Sequence, residues 1–261
     1  MNFHHHKVNV TEIIDLIKQT EKIIFDEAAI ADITVKGAAD FVTRVDMAVQ
    51  DFLQKELGDR YPEIGFIGEE QDSFTAEPKG DYWILDPIDG TTNLIHHYNL
   101  SAVSLGLYEA GKITMGIVYN PFTKEMFTAV EGQGAYLNGG RIQVSDIDNL
   151  ENAVVAYGSC PYDKGKAHEM FALFERIFLH CADFRRTGSA ALDLCYIACG
   201  RQDGYLEQNL KPWDYAAGSL ILQEAGGMVG DWNKDKSLPY LKNADIFATN
   251  EKIEEELRSL L

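Results

Sequence analysis

Apolar residues recur at Ile13, Ile14, Ile17 and Ile24 behind Thr11, a spacing that predicts an amphipathic helix over about 11–30 with Thr11 as its N-cap. A second helix is expected over about 43–57, with Val45, Val49, Phe52, Leu53 and Leu57 on one face and Gly58 placed to close it. The period then changes. EIGFIGEE reads as a short strand ending in Glu69 and Glu70, and YWILD as a second strand ending in Asp86. From Ser101 to Arg141 the runs SAVSLGLY, KITMGIVY and KEMFTAV are separated by EAGK and NPFT, both good turn sequences, so a β-meander is expected.

After that the chain alternates. NAVVAYG, GYLE, MVGDW and DIFAT read as strands, and HEMFALFERIFLH, SAALDLCYIACG, WDYAAGSLILQEAGG and EKIEEELRSLL as helices. An antiparallel meander half followed by an alternating α/β half implies a mixed α/β (α+β) fold with two sheets and helices between and outside them. The seam falls near Val144 to Asn152, giving an N-terminal α+β half at 1–147 and a C-terminal α/β half at 148–261 that share one site.

Composition narrows the class. At 261 residues, with 46% hydrophobic and 25% charged positions, the chain has the make-up of a globular protein. No apolar run approaches the roughly 20 residues a membrane span needs, and the first residues lack the layout of a secretion signal. A cytoplasmic protein is expected. Four cysteines, Cys160, Cys181, Cys195 and Cys199, are too sparse for a disulfide scaffold. Cys195 and Cys199, four apart in an apolar helical pattern, read as reduced core residues. The run His4, His5, His6 reads as a flexible tail. With 23 basic against 41 acidic residues the formal charge is −18, which argues against a nucleic-acid backbone as the main partner. An anionic substrate would then need bound divalent cations to attract it.

The acids are not scattered evenly. Glu69-Glu70, Asp86-x-x-Asp89 and Asp214 in KPWDYAAG each stand at the edge of an expected element. Taken singly they are ordinary: a solvated strand end, a common Asp-x-x-Asp-Gly turn, and an N-cap. Together they offer the oxygen ligands that Mg²⁺ prefers. In the stretch WILDPIDGTTN, Asp86 ends a buried strand, Pro87 stiffens the turn, the Ile88 carbonyl can face a cation, and Asp89 adds a second carboxylate. Gly90 permits backbone geometry that other residues resist, and Thr91, Thr92 and Asn93 open a short helix whose N–H groups suit an anion. A phosphate bridged by metal would be held from both sides.

At these residues the sequence resembles the inositol monophosphatase family, Mg²⁺-dependent and lithium-sensitive phosphomonoesterases. The matching stretches are Lys36 with FVTRVD at 41–46, GEE at 68–70, WILDPIDGTTN at 83–93, RRTGSAALDL at 185–194 and WDYAAGSLILQEAGG at 213–227, in the family's order along nearly the whole chain. The resemblance implies an αβαβα layered sandwich, usually a homodimer, with two or three Mg²⁺ ions per site. It implies that Glu69, Asp86 and the Ile88 carbonyl hold one ion, that Asp86, Asp89 and Asp214 hold a second, and that a looser third sits near Glu69. Thr91 and Asp46 would hydrogen-bond, and Thr91 with Glu69 would orient the attacking water. Gly90, Thr91 and the amide of Thr92 would receive phosphate oxygens. Glu207 would accept a substrate hydroxyl, and Gly188, Ser189 and Ala190 would contact the rest of the substrate. Lys36 in a mobile loop and Glu70 beside the metals would be accessory.

The substrate implied is a small-molecule phosphate ester such as inositol 1-phosphate. Related families also act on the NADP(H) 2′-phosphate, which ranks second, and on 3′-phosphoadenosine 5′-phosphate, fructose 1,6-bisphosphate and histidinol phosphate. A short loop between Lys36 and Asp40 and an open cleft would favour broad acceptance. For a second phosphate the basic candidates are Arg185, Arg186, Arg201 and Lys211, with Arg185 and Arg186 equally open to a structural role. His96 and His97 read as surface residues. A protein that keeps the fold but works by binding RNA polymerase or another protein is the reading from a different class. The complete set Glu69, Asp86, Asp89, Thr91 and Asp214 weighs against it.

Overall fold

The meander lies within a seven-stranded sheet. In this computed structural model, which describes residues 5–37, 40–71, 79–159, 163–232 and 238–261, that sheet holds β3 (Gly65–Gly68), β4 (Asp81–Asp89), β5 (Ala102–Glu109), β6 (Lys112–Asn120), β7 (Glu125–Val130), β8 (Ala135–Leu137) and β9 (Gly140–Ile142), neighbours in chain order. Only β3 and β4 run parallel; the other pairs are antiparallel. A second sheet has the order β11 (Asp183–Arg185), β10 (Val154–Tyr157), β12 (Gly204–Leu210), β14 (Ala244–Thr249), β13 (Met228–Asp231). The first three are mutually parallel where they pair, and the last two pairings are antiparallel.

Both faces of the large sheet are covered, which is why β5 is buried along its whole length and β6 from Ile113 onward, rather than at alternate positions. On one face Trp83, Leu85, Val103, Leu105, Met115 and Ile117 pack with Ile13 and Ile17 of α1 (Val10–Gln19) and with Val49 and Leu53 of α4 (Arg44–Arg60). On the other, Ile84, Val118 and Phe127 pack with α7 (Ala190–Ala198) and α8 (Pro212–Glu224), whose opposite side meets Tyr205, Ile246 and Val229 of the smaller sheet. The outer face of that sheet is closed by α6 (Ala167–Phe178) and α9 (Glu254–Arg258) through Phe174, Ile177, Ile253 and Leu257 on Val155, Leu206 and Phe247. The layers therefore run helix, sheet, helix, sheet, helix, as the resemblance implies. Each fully buried Leu or Ile stabilises the stack by roughly 1.5–3 kcal/mol.

Local chemistry moved several boundaries. The single helix expected over 11–30 is three: α1, α2 (Glu21–Ile24) and α3 (Glu27–Ile30). The side chain of Asn9, not Thr11, caps the first, and Asp26 caps the third. The Thr20 hydroxyl donates to the Ile17 carbonyl at 2.6 Å, competing with the helical ladder at the break. A hairpin of β1 (Ile33–Gly37) and β2 (Asp40–Thr43) occupies the stretch expected as loop. Gly58 does not close α4, which runs on to Arg60. Lys36 falls on β1; its side chain and the turn at 38–39 lie outside the described residues. The tail reading of the histidines is corrected too. His5 and His6 each bring Nε2 within 3.3 Å or less of the Glu109 carboxylate, while His4 and Cys160 lie outside the described residues. Cys195 is a buried free thiol and Cys199 is half-buried and free. Among the described residues no helix is long and apolar enough to cross a membrane.

Candidate functional site

The site begins where the ladder between β4 and β5 breaks. Asp86 pairs with Ser104 and Asp89 with Ala102, so an irregularity falls on Pro87 and Ile88. Proline lacks the N–H a ladder needs, and the bulge re-aims the side chains around it. Contrary to the expectation that the strand stops at Asp86, β4 thus continues to Asp89 in bent form. The Ile88 amide donates to Asp86 Oδ1 at 2.9 Å, fixing the bulge. Because β3 runs parallel to β4, its C-terminal end opens at the same edge, and the Glu69 amide bonds the Leu85 carbonyl at 3.2 Å.

Two close approaches bring Asp214 to this edge. A Cβ on Gly116 would lie 2.6 Å from the Ala217 carbonyl oxygen, so only glycine there lets α8 sit this low on the sheet. The Ser104 hydroxyl, on the residue paired with Asp86, donates to the Trp213 carbonyl at 3.2 Å. Asp214 also closes its own helix start, Oδ2 accepting the Lys211 amide at 2.7 Å.

Gly90 adopts φ 89° and leads into α5 (Thr91–Ile95), a single short turn. The Thr91 hydroxyl donates to Asp46 Oδ1 at 2.9 Å and lies 3.1 Å from the Ile88 carbonyl oxygen. Asp46 is held from its other oxygen, Oδ2 accepting the Thr43 amide at 2.8 Å and its hydroxyl at 2.5 Å in the capping box of α4. Asn93 ties the segment to the smaller half, its Nδ2 donating to the Leu100 and Thr187 carbonyls at 2.7 and 2.8 Å.

These groups open into a cleft of about 920 Å³ walled by Glu69, Glu70, Asp86, Ile88, Asp89, Gly90, Thr91, Thr92, Gly188, Ala190, Glu207 and Asp214. Ser189, expected among the substrate contacts, stands behind that wall. It is buried, and its hydroxyl donates to Asp89 Oδ2 at 2.5 Å, beside the Ala191 amide at 2.8 Å. Of the four basic candidates, Arg186 and Lys211 reach the cleft; Arg185 pairs with Asp183 at 2.6 Å and Arg201 with Glu125. His96 and His97 are exposed.

Three supporting residues escaped the sequence. Gln50, buried on α4, accepts the Glu70 amide at 2.9 Å. The Tyr205 hydroxyl donates to Glu207. Asp193 accepts from the Thr187 hydroxyl at 2.7 Å and from Gln202 at 3.1 Å, while Thr187 Oγ1 receives the Ser189 amide at 3.2 Å. A lone acid inside the apolar run AALDLCYIA was the available signal, since a buried acid needs partners.

Burial and crowding raise the acids. Asp86 titrates well above the usual carboxylate range, mainly from burial and then from Glu69, Asp89 and Asp214 nearby. Asp214 is likewise raised by burial and by Asp89. Burial raises Asp89 against the opposing pull of its Ser189 and Ala191 hydrogen bonds. Glu207 is pushed up to about 7, again chiefly by burial. Like charges in a low-dielectric cleft favour either protonation or a bound cation.

The donor set suits a hard ion: carboxylate oxygens from Glu69 just past β3, from β4 and from α8, and one backbone carbonyl, with no sulfur or imidazole among them. Among the described residues the trio of ligand atoms gathered within 4.8 Å of one another is instead His5, His6 and Glu109, and no three of the cleft acids gather so closely. Wider spacing fits a site for more than one ion, because paired catalytic metals stand about 3.5–4 Å apart.

Residues 6–261 match the model of the inositol monophosphatase family. The Nus factor SuhB of Vibrio cholerae serotype O1 is 43% identical over 217 residues, 83% of this chain and 80% of that protein. The inositol-1-monophosphatase of Mesorhizobium japonicum is 36% identical over 233 residues, 89% of this chain and 87% of its own. The crystal structure of an IMPase/NADP phosphatase complexed with Mg²⁺ and phosphate superposes with a TM-score of 0.85 at 25% identity, over 97% of this chain and 94% of that one.

Proposed function

This chain belongs to the inositol monophosphatase family, and on that premise we propose that it is a Mg²⁺-dependent phosphomonoesterase acting on a small phosphate ester such as inositol 1-phosphate. The proposal is carried by the convergence of Glu69, Asp86, Ile88, Asp89 and Asp214 on one cleft at the broken end of β4. Glu69, Asp86 and the Ile88 carbonyl would hold one ion, Asp86, Asp89 and Asp214 a second, and a third would sit loosely near Glu69. Bound there, Mg²⁺ would neutralise the phosphate, stabilise the leaving alkoxide and make a bound water acidic enough to supply the nucleophile.

The chain's own groups do the rest. Asp46 takes the Thr91 hydroxyl proton in a hydrogen bond, which turns the Thr91 lone pairs outward to accept from water. Thr91 and Glu69 together orient that water toward phosphorus. The amides of Gly90, Thr91 and Thr92 receive phosphate oxygens, and Glu207 accepts a substrate hydroxyl. Gly188 and Ala190 shape the wall that meets the rest of the substrate, while Ser189 holds Asp89 from behind. Glu70 and Lys36 are accessory, and a cytoplasmic homodimer completes the proposal.

Phosphate release with Mg²⁺ tests it, across inositol 1-phosphate, NADP⁺, 3′-phosphoadenosine 5′-phosphate, fructose 1,6-bisphosphate and histidinol phosphate, with Asp89→Asn beside the wild type. Turnover of inositol 1-phosphate that Asp89→Asn abolishes and millimolar-scale lithium inhibits is the expected result. Equal turnover by both proteins would remove the metal assignment.

Two observations favour second readings. Arg186 and Lys211 on the cleft wall could meet a further phosphate, and the superposed IMPase/NADP phosphatase makes the NADP⁺ arm of the panel the informative one. The 43% identical relative carries the name of a Nus factor rather than an enzyme, which favours a protein-binding role with the fold retained. Capture of a protein partner together with no turnover of any ester would decide for that role.

A further inference from the structure

Glu109 closes β5 at the end opposite the cleft. Asp89 pairs with Ala102 at one end of the strand and Asp81 with Glu109 at the other. Seven residues at about 3.4 Å each put the two ends roughly 24 Å apart. Here a carboxylate whose side chain is 7% exposed is met by the N-terminal segment from two directions. His5 Nε2 lies 2.9 Å from Glu109 Oε2, and His6 Nε2 lies 3.3 Å from Oε1.

We propose that His5, His6 and Glu109 form a metal site separate from the cleft, suited to a zinc-class divalent ion. The three ligand atoms already lie within 4.8 Å of one another. Around a tetrahedral ion with ligand bonds of about 2.1 Å, neighbouring ligand atoms stand roughly 3.4 Å apart, so only small side-chain movements separate the two arrangements. Two imidazoles and one carboxylate select zinc or its transition-metal neighbours over magnesium. With three protein ligands, a fourth position would be left for water.

The surroundings support the assignment. Thr114 Oγ1 donates to Glu109 and so orients that carboxylate from behind, while its 3.1 Å contact with His5 Nε2 is given up when that nitrogen binds an ion. Burial holds the His5 ring toward its neutral, ligating form. Lys7 Nζ is 3.0 Å from Glu109 Oε1 but also 2.5 Å from Asp81 Oδ2, so it keeps a partner when an ion takes Glu109. One ammonium against two carboxylates leaves a net negative charge for the dication. Coordination through Nε2 places the His5 ring proton on Nδ1 and gives up the long 3.3 Å contact from the Lys7 amide. The ion would fasten the start of the chain to the sheet.

The test uses the full chain purified without an affinity tag, stripped by chelator and held in millimolar Mg²⁺. Zn²⁺ is titrated against a chromophoric chelator, and the thermal midpoint is read with and without Zn²⁺. One zinc equivalent is expected, retained by Asp89→Asn and weakened at least tenfold by His6→Ala and by Glu109→Gln, and Zn²⁺ should raise the midpoint of the wild type but not of His6→Ala. Affinity unchanged in Glu109→Gln would mean that the histidines bind as a free peptide and would overturn the proposal. Loss of the equivalent in Asp89→Asn, or no equivalent at all, would do the same. Should Glu109→Gln not fold, the midpoint decides: no rise in the wild type, or an equal rise in His6→Ala, sinks the site.

Discussion

Thr91 donates its hydroxyl proton to Asp46 at 2.9 Å, joining the first turn of α5 to the first turn of α4 across 45 residues of chain. If that pair positions water, removing the hydroxyl while keeping the shape should cost rate and not structure. Thr91→Val is expected to lower kcat on the order of 10²-fold or more at saturating Mg²⁺, with an unchanged circular dichroism spectrum. A kcat within twofold of wild type would show that the pair serves the fold alone.

Asp89 is oriented from behind by Ser189 at 2.5 Å and the Ala191 amide at 2.8 Å. Ser189→Ala removes one support and keeps the other. The Mg²⁺ concentration for half-maximal activity should rise about tenfold, the usual size of such outer contacts, with kcat at saturating Mg²⁺ reduced less. An unchanged Mg²⁺ requirement would leave Ser189 as a cap of α7 only.

Gly158 tests the opposite wall. A Cβ there would stand 1.8 Å from the Glu207 carboxyl carbon, so Gly158→Ala must displace that side chain. Since Glu207 is proposed to accept a substrate hydroxyl, KM should rise several-fold while kcat changes less, and Glu207→Gln should do likewise. Wild-type kinetics in both variants would remove Glu207 from substrate recognition.

Asp193 gives a pH signature from an acid of the cleft wall that is not among the proposed metal ligands. Burial pushes its carboxyl up to about 8, far above the ordinary carboxylate range, despite hydrogen bonds from Thr187 and Gln202. The folded state therefore binds a proton that the unfolded chain releases near pH 4, so this contribution is full below that pH and is lost as pH rises through about 8. Urea unfolding at pH 5, 7 and 9 should show stability falling more steeply in wild type than in Asp193→Asn. Equal slopes would contradict the assignment.

Much of this was legible in the residues. The meander announced itself through EAGK and NPFT, and WILDPIDGTTN marked the cleft because few other jobs need two acids, a proline and a glycine so close together. The breaks in the N-terminal helix were hidden because Ile13, Ile17 and Ile24 keep helical spacing across them, and the Thr20 and Asp26 side chains that end and restart the turns act locally. The continuation of β4 past Pro87 depended on Ala102 pairing with Asp89, a contact no short window contains. Ser189 behind Asp89 and His5 on Glu109 are likewise meetings of residues 100 or more apart, which only the stacked layers determine.

Every step proposed for the cleft depends on divalent ions held by the carboxylates at the broken end of β4. Anomalous diffraction from crystals soaked in Mn²⁺, as a stand-in for Mg²⁺, tests it most directly. Two or three peaks are expected among Glu69, Asp86, the Ile88 carbonyl, Asp89 and Asp214, with the peak between Asp89 and Asp214 lost in Asp89→Asn. A cleft without peaks at saturating Mn²⁺ would contradict the account, and the phosphatase proposal would fall with it.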